Sequence, residues 1–199
     1  AWSARRFAGS LTTPPPQEAF AGPDGRMSAA AGPVRACIGL GANLGRPEHR
    51  LGQAAQALAA LPATRLLAMS RLYRTAAWGR RDQPDFINAA AVLETGLAAA
   101  ELLEALLGIE REAGRERSGD LRWGPRVLDL DLLLYGGQVI DQPGLQVPHP
   151  HLHERAFALV PLAEIAAAEP FPGHGSVGQA LGRIEVAGIE RLDRPAGAD

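Results

Sequence analysis

The stretch Arg122-Trp123-Gly124-Pro125-Arg126-Val127-Leu128-Asp129-Leu130-Asp131-Leu132-Leu133-Leu134-Tyr135-Gly136 constrains this chain more than any other. Its second half alternates leucine with aspartate, the period of a β-strand. Leu128, Leu130 and Leu132 therefore share one face, and Asp129 and Asp131 the other. The two acidic Cα atoms then lie about 6–7 Å apart. Carboxylates that close repel, and each resists ionisation. A divalent cation between them removes that cost. Two hard oxygen ligands on a short strand suit Mg²⁺, which completes its shell with water and substrate phosphates. The first half sets Arg122 and Arg126 on either side of Trp123, just ahead of the strand. Guanidinium groups bind phosphate through paired hydrogen bonds. Acids for metal and arginines for phosphate point to phosphoryl or nucleotidyl transfer. The plain alternative is an edge strand with two solvated aspartates behind a basic loop.

Composition narrows the setting. A chain of 199 residues defaults to one domain with a real core. A net charge of −2 argues against a general nucleic-acid or membrane-surface binder, and no apolar run is long enough to span a bilayer. A single cysteine, Cys37, excludes an internal disulfide framework and fits a reducing, cytoplasmic compartment. All 20 basic residues are arginine, so a lysine phosphate clamp and Schiff-base chemistry are excluded.

Residues 1–33 read as a disordered or loosely attached extension, broken by Pro14-Pro15-Pro16, Gly22-Pro23 and Gly32-Pro33. Arg5, Arg6, Phe7 and Leu11 lack the apolar run that a targeting peptide needs. The catalytic domain is expected over 34–193 and a tail over 194–199. Val34–Leu40 reads as a buried strand. Gly39, Gly41 and Gly45 then frame a turn in which Asn43 either reads a heterocycle edge or merely tolerates left-handed backbone. The pattern is neither a Walker loop nor a full G-x-G-x-x-G. Pro47 opens a helix that runs to Pro62. Thr64–Tyr73 reads as one strand, Arg74–Asp85 as a polar loop, and Phe86–Thr95 as a strand with Phe86, Asn88 and Ala90 on one face. Leu97–Ala113 is helical, carries Glu110 near its end, and stops at Gly114.

Arg115, Arg117, Arg122 and Arg126 fall within twelve residues, between Gly114 and the aspartate strand. A mobile arginine loop can close over a polyphosphate; a solvated basic loop is the bland reading. Gly136-Gly137 suggests a hairpin with Val139-Ile140 returning. His149, His151 and His153 have zinc-like spacing, but no cysteine is near and Pro150 breaks any regular face. Phe157–Ala168 reads as a helix that Pro161 bends or divides, and Val177–Ile184 as a short last helix. The order predicts an α+β fold, a ferredoxin-like βαββαβ sandwich whose mainly antiparallel sheet is covered by helices, with C-terminal helical additions.

Taken together the motifs resemble the 6-hydroxymethyl-7,8-dihydropterin pyrophosphokinase family over about residues 34–192. They are Gly39-Leu-Gly-Ala-Asn-Leu44, Tyr73-Arg-Thr75, Asp82-Gln-Pro-Asp-Phe-Ile-Asn88, Arg122-Trp-Gly-Pro-Arg-Val-Leu-Asp-Leu-Asp131 and Val147-Pro-His149. The resemblance implies transfer of pyrophosphate from ATP to the pterin hydroxymethyl oxygen, with AMP leaving, in folate biosynthesis. It implies two Mg²⁺ on Asp129 and Asp131. Asn43, Thr75, Ala76, Trp78, Phe86, Asn88 and Trp123 fall on the pterin side. Glu110, Arg122, Arg126, Leu132, His149 and Arg155 fall on the ATP side, with Arg115 and Arg117 closing over the reactants. ATP and the pterin are then the partners of an expected monomer, with no nucleic acid and no membrane.

Several positions depart from the family pattern. Ala76-Ala77 replaces a common proline, Trp78 a smaller apolar residue, Phe86 a tyrosine and Pro150 an aromatic, and the loop between Arg117 and Arg122 is one residue longer. Three rivals stand beside this reading: an ordinary kinase or nucleotidyltransferase, a non-catalytic pterin- or nucleotide-binding module, and an interaction protein whose polar residues scatter over unrelated surfaces.

Overall fold

The computed structural model describes residues 32–76, 83–114 and 125–195. The expected extension over 1–33 lies outside them except for its last two residues. In chain order the elements are β1 (Val34–Ala42), α1 (Pro47–Ala59), β2 (Thr64–Met69), β3 (Arg71–Thr75), β4 (Phe86–Thr95), α2 (Ala99–Glu112) and β5 (Asp129–Tyr135). There follow β6 (Ile140–Gln142), β7 (Leu145–Val147), a single 3₁₀ turn at Leu152–Glu154, α3 (Ala156–Ala166), β8 (Pro170–Phe171), β9 (Gly175–Ser176), α4 (Val177–Leu181) and β10 (Ile189–Pro195). The main sheet runs β10-β3-β4-β1-β5, with β2 also paired to β4, and every pairing is antiparallel. This is the expected βαββαβ sandwich.

Alternation along the strands divides the sheet into two faces. Ile38 and Leu40 of β1, Ile87, Ala89 and Leu93 of β4, and Leu128, Leu130 and Leu132 around β5 pack with Leu51, Leu58, Leu102 and Leu106 of α1 and α2. Cys37, Ala90, Val92, Leu133 and Leu134 pack on the opposite face with Leu159, Leu162 and Phe171. Leu133 and Leu134 join the same cluster because a bulge shifts the register between β1 and β5 at Cys37/Ile38.

Five details differ from the sequence reading. The expected strand over Thr64–Tyr73 is two strands broken at Ser70. There the serine hydroxyl accepts from the Ala90 amide at 2.8 Å and donates to the Arg71 carbonyl at 2.8 Å, replacing ladder bonds. Arg74 and Thr75, expected in a loop, belong to β3. Gly136 and Gly137 do turn the chain at positive φ (55° and 68°), but the returning segment pairs with β7 rather than β5. The hairpin is β6–β7, closed by Gly144 at φ 81°. α3 continues through Pro161, which is buried, because packing of this apolar helix outweighs the local break. β10 has no counterpart in the sequence reading. It adds an edge to β3, pairing Ile189 with Thr75 and Arg191 with Tyr73.

Gly114 ends α2 as expected, at φ 92°, and its amide donates to the Arg111 carbonyl. No helix among the described residues is long and apolar enough to cross a membrane.

Candidate active site

The site begins as one row of residues across the sheet. Tyr73 on β3 pairs with Asn88 on β4, Asn88 with Gly41 on β1, and Gly41 with Asp129 on β5. In the next row Gly39 sits between Ala90 and Asp131. The glycines thus form a low floor with an amide on one side and two carboxylates on the other. Neither lies in the expected turn: both are strand residues whose value is the missing Cβ. A Cβ at Gly41 would sit 3.2 Å from Asn88 Oδ1, and one at Gly39 would sit 3.3 Å from Leu133. Only Gly45 of this stretch uses positive φ, at 70°.

Two hollows meet at this floor. The first is lined by Gly39, Gly41, Thr75, Ala76, Phe86, Asn88 and, from the start of α3, Phe157 and Ala158. The second is lined by Leu103, Leu107 and Glu110 of α2, Leu132 of β5, and the β6–β7 hairpin. Arg126, Asp129, Asp131 and His149 line both. The acid pair therefore stands in the wall between two chambers of different character.

Within the first hollow the Asn88 Nδ2 donates to Thr75 Oγ1 at 2.8 Å, which fixes the amide orientation. Asn43 has another task. Its Oδ1 accepts from the Arg126 amide at 2.7 Å, and its Nδ2 donates to the Pro84 carbonyl at 3.1 Å and to Gln83 Oε1 at 3.3 Å. Both ends of the Asn43 amide are thus bonded to protein, tying the start of β4 to the start of β5. The backbone amides of Asn43 and Leu44 also donate to the Arg126 carbonyl.

At the shared wall Arg126 is ion-paired with Asp129, and Arg155 Nη1 lies 3.4 Å from Asp131 Oδ2. Burial first, and then the Asp129 charge, push the Asp131 carboxyl up to about 7 against the pull of Arg155 and Arg126. That is the cost expected of two acids on one strand face, and a cation would remove it. His149 Nδ1 accepts from the His151 amide at 3.2 Å, and its Nε2 faces Arg155 Nη1 at 3.4 Å. Burial, then Arg155, hold its pKa down to about 4, so the ring is neutral at pH 7. Both ring nitrogens thus face an N–H donor, and a neutral imidazole has one acceptor nitrogen, so the tautomer decides which of the two contacts is the hydrogen bond. Glu110 is buried under the wall, where its Oε1 accepts from the Leu130 amide at 2.7 Å.

The other two histidines diverge from His149. His151 and His153 flank Glu154 at 3.6 and 3.1 Å, and the His153 ring stacks on that of His174. Among the described residues no three His, Cys, Asp or Glu side chains converge as a metal cage.

Comparison with known proteins decides the family. The model of the 7,8-dihydro-6-hydroxymethylpterin-pyrophosphokinase family matches residues 37–167. The 2-amino-4-hydroxy-6-hydroxymethyldihydropteridine pyrophosphokinase of Pseudomonas aeruginosa is 48% identical over 158 residues, 79% of this chain and 96% of that protein. The chain belongs to the 7,8-dihydro-6-hydroxymethylpterin-pyrophosphokinase family. The protein of the same name from Methylorubrum extorquens is 45% identical over 160 residues, 80% of this chain and 99% of that one. The fold also matches the crystal structure of wild-type HPPK-DHPS from Plasmodium falciparum, with a TM-score of 0.55 at 12% identity. That match covers 75% of this chain and 43% of the longer Plasmodium chain.

Of the residues expected at a pyrophosphokinase site, Thr75, Ala76, Phe86, Asn88, Glu110, Arg126, Asp129, Asp131, Leu132, His149 and Arg155 line the two hollows. An interaction protein with scattered polar residues would not gather them. Asn43 braces this assembly through Arg126. Trp78, Arg115, Arg117, Arg122 and Trp123 lie outside the described residues. Sequence reasoning missed Phe157. Its only signal was an aromatic two positions after Arg155, at the entrance of a predicted helix, and the guanidinium of Arg155 does lie over its ring at 5.7 Å.

Proposed function

We propose that this protein transfers pyrophosphate from ATP to the hydroxymethyl oxygen of 6-hydroxymethyl-7,8-dihydropterin, giving AMP and the pterin diphosphate, as a cytoplasmic monomer in folate biosynthesis. The catalytic domain is the expected 34–193 together with Arg194 and Pro195, the last two residues of β10. The observation that carries this reading is the acid pair in the wall shared by two hollows. A group transferred between two substrates must cross such a wall.

The pterin suits the first hollow. Phe86 and Phe157 offer aromatic faces to a flat ring, and the Asn88 amide, oriented by Thr75, offers a hydrogen-bonding edge. ATP suits the second, where Leu103, Leu107 and Leu132 are apolar and Asp141, Gln142 and Gln146 of the β6–β7 hairpin are polar. Arg126, Arg155 and His149 would hold the phosphates. The family resemblance adds Arg115, Arg117 and Arg122 to the phosphates, and Trp78 and Trp123 to the pterin.

Asp129 and Asp131 fit Mg²⁺, which needs only one or two protein carboxylates and takes its other ligands from water and phosphate. They would hold two ions, with Arg126 and Arg155 turning from the acids to the phosphates. Bound Mg²⁺ supplies neutralisation of the polyphosphate charge and a lowered pKa for the attacking hydroxyl. The pterin oxygen attacks the β-phosphorus, the bond from that phosphorus to the α–β bridging oxygen breaks, and AMP leaves with that oxygen. The hydroxyl proton passes to solvent. Positioning and charge stabilisation account for the rate, and no dedicated base is required.

The test is to incubate protein, ATP, Mg²⁺ and the pterin, then separate the nucleotides. AMP formed one-for-one with a pyrophosphorylated pterin is the expected result. ADP would turn the reading to an ordinary kinase, and ligand binding without turnover to a non-catalytic module.

A further inference from the structure

α3 is an apolar helix with one charged side chain, Glu164. Its carboxylate Oε2 accepts from the Tyr73 hydroxyl at 2.9 Å and from the Arg71 amide at 3.0 Å, and its Oε1 lies 3.8 Å from Arg71 Nε. Each contact has a local cause. The break at Ser70 leaves the first amide of β3 directed to a side chain rather than to a ladder partner. Tyr73 is the next member of the site row after Asn88, and its ring is buried. Burial, and then the bond to Glu164, push its hydroxyl up to about 12, so it stays a donor throughout the neutral range.

Glu164 stands seven residues, two helical turns, after Phe157, so the two residues and Pro161 between them share one helix face. Through Glu164 that face is tied to β3, while Ala158, Leu159 and Leu162 pack in the core cluster with Ala90 and Val92 of β4. The Glu164 contacts therefore fix the flank of α3 that carries Phe157 against β3, beside the strand that carries Phe86 and Asn88.

We infer that Glu164, acting through Tyr73 and Arg71, is a positioning residue that fixes the width of the slot between Phe157 and Phe86 and so sets affinity for the flat pterin ring. It touches no substrate. The inference rests on the placement of the pterin proposed above. ATP affinity depends on it less, because Arg155, although its guanidinium lies over the Phe157 ring, is also held by contacts to Asp131 and His149 that do not involve Glu164.

The test is calorimetric titration of wild type, Glu164→Ala, Glu164→Gln and Tyr73→Phe with 6-hydroxymethyl-7,8-dihydropterin and, separately, with ATP and Mg²⁺. Glu164→Ala should weaken pterin binding about five- to tenfold, the scale of a lost charge-assisted hydrogen bond. Glu164→Gln, which keeps an acceptor, should lose less. Tyr73→Phe, which keeps the ring and the fold, should lose about threefold. ATP affinity should stay within about twofold in all of them, and a variant combining Glu164→Ala with Tyr73→Phe should lose no more pterin affinity than Glu164→Ala alone. Equal losses for both ligands, or unchanged pterin affinity in Tyr73→Phe and Glu164→Gln, would overturn the inference while leaving the proposed reaction intact. A wild type that fails to bind the pterin would overturn both.

Discussion

The two faces of the sheet are made from the same strands and do opposite things. On the α1/α2 face the inward positions of β1, β4 and β5 are apolar from Ile38 and Leu40 through Ile87 and Leu93 to Leu130 and Leu132, with Thr95 at the end of β4 the buried polar exception. On the α3 face the strands change character along their length. Cys37, Val92 and Leu134 are core, whereas Gly41, Asn88 and Asp129 form the site floor. One face is core along its strands, and only its margin at α2 and β5 also lines the second hollow. The other is core at one end only, and at the other end holds two carboxylates closer than stability alone would favour.

The largest expected effect separates the faces in function. Asp129→Ala and Asp131→Ala should each lower turnover by about a thousandfold or more, the scale of removing transition-state charge stabilisation, without unfolding the protein. Near-wild-type rates in a steady-state assay would end the metal role assigned to them. The mirror change is Leu130→Ala, one residue away and facing the other side. It should lower unfolding free energy by about 2–5 kcal/mol in a denaturant titration.

A smaller effect lies inside the site floor. Gly41→Ala places a methyl group 3.2 Å from Asn88 Oδ1, so it should disturb the hollow proposed for the pterin before the one proposed for ATP. The check is the pair of KM values, with that for the pterin expected to rise several-fold more than that for ATP.

The pH dependence sharpens the contrast further. The Asp131 carboxyl is raised to about 7 from an ordinary 3.8, so folding favours its protonated form. That stabilisation is complete below about pH 4 and is lost as pH rises through 7. His149, lowered to about 4 from 6.5, works in the opposite sense, losing stability as pH falls from 6.5 towards 4. The difference between wild type and Asp131→Asn isolates the first term. In EDTA the variant should gain melting temperature relative to wild type as pH rises from 4 to 7. A difference that does not change with pH would contradict the electrostatic cost assigned to the pair.

The smallest effect concerns the closed end of the α3 face. Burial pushes the Cys37 thiol up to about 12, so a thiol reagent should label it only on unfolding. Rapid labelling of native protein would show that end to be open.

What was legible in the sequence follows the same division. The Leu128–Asp131 alternation declared both faces of β5, because a period of two in strong apolar and charged residues leaves no other assignment. Phe86-Ile87-Asn88 did the same for β4. The βαββαβ order was readable because each helix carried a clear apolar stripe and each core strand a run of its own. What escaped depended on contacts distant in sequence. β10 is polar and mostly exposed, so nothing in Ile189–Pro195 marks it as a strand until β3 is there to pair with it. Phe157 reads as an ordinary core aromatic until α3 is laid over β4. Asn43 looked like a ligand contact because its amide could read a ring edge; its partners Gln83, Pro84 and Arg126 lie about forty and eighty residues away.

The central claim is that the acid pair belongs to the wall between two chambers, serving the phosphates and not the pterin ring. The most direct measurement is calorimetric titration of Asp131→Asn with each ligand separately. Affinity for ATP with Mg²⁺ should fall by at least about tenfold, the scale of one lost charge–metal contact, while affinity for the pterin alone stays within about twofold of wild type. Equal loss of both affinities, or retention of Mg²⁺-dependent ATP binding, would contradict it.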